Sequence, residues 1–345
     1  MSDKFLFQTP SLVLRYYIPA NSPLLECAHN LNNPGKFIMF KKTTQAVLAL
    51  AFMTLTASAN AAVDLGVAGK FNAFVFSTFN SQYSDTEGAV AVGGDTTVNG
   101  YSVNANNKPY NGYSLVVGGN LNYTNGSINN GNAYVAGTST TSSLGGGATI
   151  SGGTAPFSFS DEKTELIALS SSLSKLSANG SATYQYGGVT FTGDGTSAVQ
   201  VFNVSGADLY SVNYSNFAQL ASNQTIIVNV SGDVAGFQGG TPNGFSNYNV
   251  LFNFYEATTL NFNNVGVYGS ILAPYATVQG GGGQINGNVI VNAWNSNIQI
   301  NANHYFTGAD ITIPVSAVPE PQSYMMLFAG LGLIGFMATR RRYYV

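Results

Sequence analysis

The chain has 345 residues, of which only 8% are charged, with a net charge of −3 and a single cysteine, Cys27. Between Ala62 and Ala317 the only basic residues are Lys70, Lys108, Lys163 and Lys175, which excludes a nucleic-acid binder, because that function needs clustered Lys and Arg against phosphate. The 40 glycines come with 20 tyrosines and 22 phenylalanines, an aromatic content that disordered chains lack, so the composition predicts a folded, mainly β domain.

Residues 1–38 precede a more natural start at Met39 and are read as an over-extended gene start or an unusually long leader. Met39-Phe40-Lys41-Lys42 and the apolar run Ala46–Thr56 have the order of a signal peptide over residues 39–61. Ala59 and Ala61 fit the small-x-small rule, which places cleavage before Ala62. Export through the Sec translocon and processing by signal peptidase follow. The mature part then has no cysteine, so an exported domain must hold together without disulfides.

Short β-prone runs stopped by glycine recur along residues 62–315. They include Gly88–Asp95, Ser114–Asn120, Ala133–Thr138, Val267–Ala273 and Gly287–Ala293. Gly119 to Gly137 and Gly269 to Gly287 are both steps of 18 residues. Gly94 to Gly119 is longer and needs an insertion. Short strands at a period near 20 suggest a parallel β-helix, each coil burying its alternating apolar residues. Asparagine suits its corners because it tolerates the left-handed conformation. The 18-residue step predicts that Ile271 lies beside Val289 in adjacent coils, with Asn288 at the surface. The alternative is an antiparallel β-sandwich, which also has short strands and turn residues.

One helix interrupts the strands. Ser160 is the expected cap, Asp161 and Glu162 sit in the first turn, and Asn179-Gly180 is the expected stop. Leu166, Leu169, Leu173 and Leu176 form one stripe, predicted to pack along the solenoid.

Chemistry is sparse. Asp85 and Glu87 alternate on one strand and Asp95 follows a turn, which makes them a candidate calcium site. No other cofactor is expected. No serine lies in a Gly-x-Ser-x-Gly elbow, and His304 is expected to be structural or exposed. Tyr101, Tyr110, Tyr113, Tyr123, Tyr210, Tyr214, Tyr248 and Tyr268 sit among amides and hydroxyls, a setting suited to sugar contact.

Residues 316–345 form a three-part tail. Val318-Pro319-Glu320-Pro321 is rigid and extended, residues 325–338 are a short apolar span, and Arg340-Arg341-Arg342 closes it. Together these parts resemble the PEP-CTERM sorting signal. The resemblance implies an exosortase as partner and cleavage near the motif. It also implies transient inner-membrane anchorage, then residence at the cell surface or in the extracellular matrix of a Gram-negative bacterium. Leu65–Ala68, Phe71–Phe76, Ser84–Gly94 and Val267–Pro274 resemble the choice-of-anchor A domain. The closing coils resemble ice-binding-type β-helices, which pack one long helix along the solenoid.

The function expected is an exported structural or adhesive protein. Association with exopolysaccharide or biofilm is what the sorting signal's family implies. The alternative is a surface-binding module for glycan or ice. Polysaccharide lyases of β-helix shape resemble one another in using a basic residue near a calcium-bound acidic cluster, and the arginine-free domain with scattered lysines lacks that pattern, so the chain is read as non-enzymatic. Mass spectrometry of the surface-released protein should find Ala62 at its N-terminus and no Arg340–Arg342; an intact C-terminus would refute the sorting assignment.

Overall fold

Alternation sets the strands. Phe79–Thr86 and Leu121–Ile128 bury their first, third and last residues and expose or half-expose those between, as a coil with one dry and one wet side requires. The structure, a computed structural model, describes residues 61–238 and 243–311. Ten strands come first: β1 (Ala61–Val63), β2 (Ala73–Val75), β3 (Phe79–Thr86), β4 (Val90–Val92), β5 (Thr96–Val103), β6 (Tyr113–Val117), β7 (Leu121–Ile128), β8 (Asn132–Val135), β9 (Ser139–Gly145) and β10 (Ile150–Ser151). Helix α1 (Phe159–Leu173) follows, then β11 (Ser181–Gln185), β12 (Gly188–Thr192), β13 (Val199–Ser205) and a short helix α2 (Gly206–Ser211). The chain continues through β14 (Tyr214–Ala218), β15 (Thr225–Ser231), β16 (Val234–Gln238), β17 (Asn249–Phe254), β18 (Thr259–Tyr268), β19 (Ser270–Asn286), β20 (Val289–Asn295), β21 (Gln299–Asn301) and β22 (Ala309–Ile311).

Seventeen strands form one sheet wound into a parallel β-helix. Its ladders are parallel, so the sandwich alternative does not apply. Ile271 pairs with Val289, as the 18-residue step predicted, and both are fully buried. The longer step from β4 to β6, Val90 to Leu115, accommodates the loop of residues 104–112. Gly93 and Gly118 mark corners where coils touch. A Cβ on Gly118 would stand 2.5 Å from the carbonyl oxygen of Gly93, too close for any side chain.

Strand order differs from chain order. Along the helix-covered side the ladder runs β13, β15, β17, β19, β20, β2, β4, β6, β8, β10. The domain therefore begins in mid-stack at β2 and grows outward to β10. It returns through α1, restarts at β13 and grows inward until β20 meets β2.

Two buried amides close that seam. Asn72 Nδ2 donates to the carbonyls of Gly287 (2.7 Å) and Asn301 (3.0 Å), and its Oδ1 accepts from Gly88 N–H. Asn288 Nδ2 donates to Phe71 O (2.7 Å) and Gly69 O (3.1 Å), while its Oδ1 accepts from Ser270 Oγ and Phe306 N–H. Asn288 is thus fully buried, a correction to its expected place at the surface. The strand pattern could not show this, because the carbonyls its amide meets, those of Gly69 and Phe71, come from the opposite end of the sequence.

Helix α1 lies over an apolar column on the outside of the coils: Val201, Ile227 and Leu251 on one half, and Leu272, Ile290, Phe74, Ala91 and Val116 toward the other. Its 15 residues span about 22 Å, or four to five strand spacings. The cap is Ser158, not Ser160: Ser158 Oγ accepts from Asp161 N–H at 3.3 Å. The helix starts early because Phe159 packs on Phe74, with ring centroids 5.3 Å apart. It also ends early, at Leu173. There an asparagine ladder, Asn203, Asn229 and Asn253 in register, takes over its carbonyls. Asn253 Nδ2 donates to Ser170 O, Asn229 Nδ2 to Leu173 O and Asn203 Nδ2 to Leu176 O. Asn179 instead binds the edge of β13, accepting from Val201 N–H and donating to Val199 O.

Leu166 and Leu173 are buried, whereas Leu169 is only half-buried. Leu173→Ala should therefore cost ~2–5 kcal/mol in chemical denaturation and Leu169→Ala distinctly less. Asn288→Asp should cost ~3–5 kcal/mol, because a carboxylate would face two carbonyls in a dry seam. An unchanged midpoint for Asn288→Asp would mean that the seam is not closed as described.

Candidate functional site

In β3, β5, β7 and β9 the residues at one aligned position take the left-handed conformation: Tyr83, Gly100, Asn125 and Ser143. These residues stack as a corner and bend each long strand into two faces. Asn264 and Gly282 continue the corner in β18 and β19. Before the corner, alternation points apolar residues inward, among them Phe79, Val98, Leu121 and Trp294.

The outward residues on this side form two columns. The first runs Thr140, Asn122, Thr97, Asn80 and Asn295, with Gln279 and Asn261 paired farther on. The second runs Ser142, Thr124, Asn99 and Gln82, with Gly281 and Asn263 paired in the other half. Neighbours lie about 4.8 Å apart across strands and about 6.7 Å apart along them. None of these residues carries a charge. The face is a regular lattice of hydroxyls and amides.

Residues 64–302 match the family described as "Putative Ice-binding-like adhesive domain". The chain belongs to this family. Residues 317–342 match the PEP-CTERM protein-sorting motif. Among solved structures, the crystal structure of an ice-binding protein from an Antarctic ascomycete, Antarctomyces psychrotrophicus, is similar at 15% identity and a TM-score of 0.31, over 70% of this chain and 98% of that one. A search of curated proteins returns no match. The β-helix assignment rests on the strand pairings.

The acidic residues of this adhesive domain are not gathered. Asp85 sits after the corner and accepts from Gln299 Nε2 at 3.3 Å. Glu87 accepts from Ala302 N–H (2.9 Å) and Asn106 Nδ2 (2.8 Å). Asp95 lies at another corner, one coil away, accepting from Asn120 N–H at 2.7 Å. Among the described residues no three of His, Cys, Asp and Glu come together. His304 has the structural contact expected of it, 2.7 Å from Nε2 to Tyr248 O. The cleft that holds Lys108, His304 and Tyr305 is not lined by Asp85 or Glu87. Lys108 donates to Ala302 O and lies over the Tyr305 ring.

Ala61 and Ala62 fall in β1, which pairs antiparallel with β22. Ala59, Val318, Pro319, Glu320, Pro321, Arg340, Arg341, Arg342 and the apolar span 325–338 lie outside the described residues. Among the described residues no helix is long and apolar enough to cross a membrane.

The tyrosines divide. Tyr101 and Tyr123 belong to the core: Tyr123 Oη donates to Tyr101 O at 2.8 Å, and burial pushes both phenols above their ordinary pKa. Tyr214 is exposed, as are Tyr83 and Tyr186, which the sequence reading passed over. It also passed over the amide columns. Their signal was present in Leu121-Asn122-Tyr123-Thr124 and Thr96-Thr97-Val98-Asn99, where a polar residue follows each inward one.

Burial raises the Asp85 carboxyl above its usual range, the Gln299 bond opposes this, and Glu87 adds to it. The folded state therefore holds the proton more tightly than the unfolded chain. Asp85 lowers stability above its folded pKa, and this penalty disappears as the pH falls toward the unfolded value near 3.9. Asp85→Asn should raise the thermal midpoint at pH 7, with the difference shrinking toward pH 4; a difference independent of pH would contradict it.

Proposed function

We propose that the chain is exported, processed by an exosortase through Val318–Pro321, and held at the cell surface or in the matrix as a non-enzymatic adhesin. Its uncharged ladder face is the adhesive surface. The single observation that carries this reading is the double column from Thr140 and Ser142 to Asn80 and Gln82, free of any charged side chain. Hydroxyls and amides both donate and accept, so such a face matches hydroxyl-rich polymers, and exopolysaccharide is the partner we assign to it. The family's adhesive description and the sorting motif support display at the surface. The resemblance to choice-of-anchor A domains, whose members share a passenger on different anchors, supports it as well.

A second reading is adhesion to ice, favoured by the family description and by columns repeating at strand spacing. Against it, the columns mix Thr with Ser, Asn, Gln and Gly, whereas a flat, regular Thr array would favour ice.

Asn122 and Thr140 are exposed and make no side-chain hydrogen bond to the described residues, and because they pair across the ladder, Asn122→Glu with Thr140→Glu should cost no more than about 1 kcal/mol through like-charge repulsion. The double variant should be exported and processed normally, yet its retention in native matrix should fall severalfold. Undiminished retention would overturn the assignment of this face, and freezing-point hysteresis from the unaltered protein would select ice.

A further inference from the structure

The ladder face is broken at the seam. The coil holding β20 and β21 goes from Trp294 to Ile300 in six residues. Both neighbours take seven over the same span, from Phe79 to Thr86 and from Val278 to Ile285. The missing residue leaves a trough of about 500 Å³ between Asn80, Gln82, Thr97 and Asn99 on one side and Asn295 and Asn297 on the other. That volume lies within the range of small-ligand sites, roughly 300–1,000 Å³.

The floor is rigid. Ser81 Oγ donates to Ser296 O (2.7 Å), as does Trp294 Nε1 (2.9 Å), and Ser296 Oγ donates to Gly280 O (3.0 Å). The Trp294 ring stacks on Phe79 with planes 7° apart. The walls are the opposite. Asn80, Gln82, Thr97 and Asn295 make no hydrogen bond to the described protein through their side chains, unlike the buried asparagines of the seam. Asn99 Oδ1 accepts from Asn125 Nδ2, and Asn297 Oδ1 accepts from Gly282 N–H. Each therefore keeps its Nδ2 as a donor with a fixed orientation. Tyr83 follows Gln82 at the corner, its ring beside Gly100 and 77% exposed.

We propose that this trough binds a segment of neutral glycan, with Tyr83 as a stacking platform at its rim. The inference rests on the adhesive reading and names the ligand class of one place on that face. Sugar hydroxyls donate and accept, as the free amides do, and the apolar face of a sugar ring suits an exposed tyrosine. A charged ligand would lose water there without any countercharge, since no Asp, Glu, Lys or Arg lines the trough. The preformed floor lets a ligand bind without first ordering the site.

The test is titration of the full chain in detergent with neutral cello-, manno- and dextran-oligosaccharides and, as the charged counterpart, alginate oligomers. At least one neutral series should saturate. Gln82→Ala with Asn295→Ala should weaken it by about tenfold, the loss of two hydrogen bonds. Tyr83→Ala should weaken it as well. Unchanged melting of the trough variants establishes that the loss is local. The proposal is overturned if no neutral series binds, if the trough variants bind as tightly as the parent, or if alginate binds equally well. Matrix retention by the unaltered protein without oligosaccharide binding would sink the trough alone and leave the adhesive face standing.

Discussion

The whole architecture depends on two side-chain amides, Asn72 and Asn288, that join the first coil to the last. They bridge more than 200 residues of sequence, and both are fully buried. A buried amide left unpaired is costly, so the seam is favourable only when every partner arrives together. The coils on either side are ordinary parallel ladders that any similar strand could extend. The amides make the β2–β20 pairing specific, because only these two edges place carbonyls from Gly69, Phe71, Gly287 and Asn301 where the amides can reach them. Such late, long-range closure also implies slow folding, since loop entropy must be overcome before the seam rewards it.

The helix decides which side of the solenoid is left for function. Its leucines cover the apolar column on one side, and the Asn203–Asn229–Asn253 ladder holds its last turn there. The rim near Leu169 stays half-open, but the column beneath it is dry. With that side occupied, the polar columns before the left-handed corner remain free to meet a partner. The shortened coil at the seam then becomes a surface feature. The amides and the trough both lie where the closing coil of Asn288 and Ser296 meets the first coil of Asn72 and Ser81, so closure of the fold and relief on the ladder face have one origin.

The sequence showed the coils more clearly than their order. Ile271 beside Val289 was legible because an unbroken 18-residue step puts equivalent apolar residues in register. The place of β2 was not, because Ala73-Phe74-Val75 resembles any other coil strand, and nothing local says that its neighbour is Val289-Ile290-Val291. Asn288 looked like a surface residue for the same reason. Ser158 was missed as the cap because Ser160 sits just before the acidic first turn, whereas the aromatic cluster of Phe74, Phe157 and Phe159 pulls the start back two residues. The tyrosines misled in both directions. A phenol amid amides looks the same in sequence whether it caps a core column, as Tyr123 does, or stands in water like Tyr83.

The pairing of β1 with β22 has a mechanical consequence. Ala61 lies opposite Ile311, so a leader arriving at one and a tail leaving from the other share a single exit on the flank of the stack. With the chain cut before Ala62, the pairs Ala62–Asp310 and Val63–Ala309 remain, and tension along the tail would reach this antiparallel clasp first. It opens that clasp one pair at a time and does not shear the coils. Pulled by its tail, such a domain would yield at the clasp before the longer parallel ladders of its coils are strained.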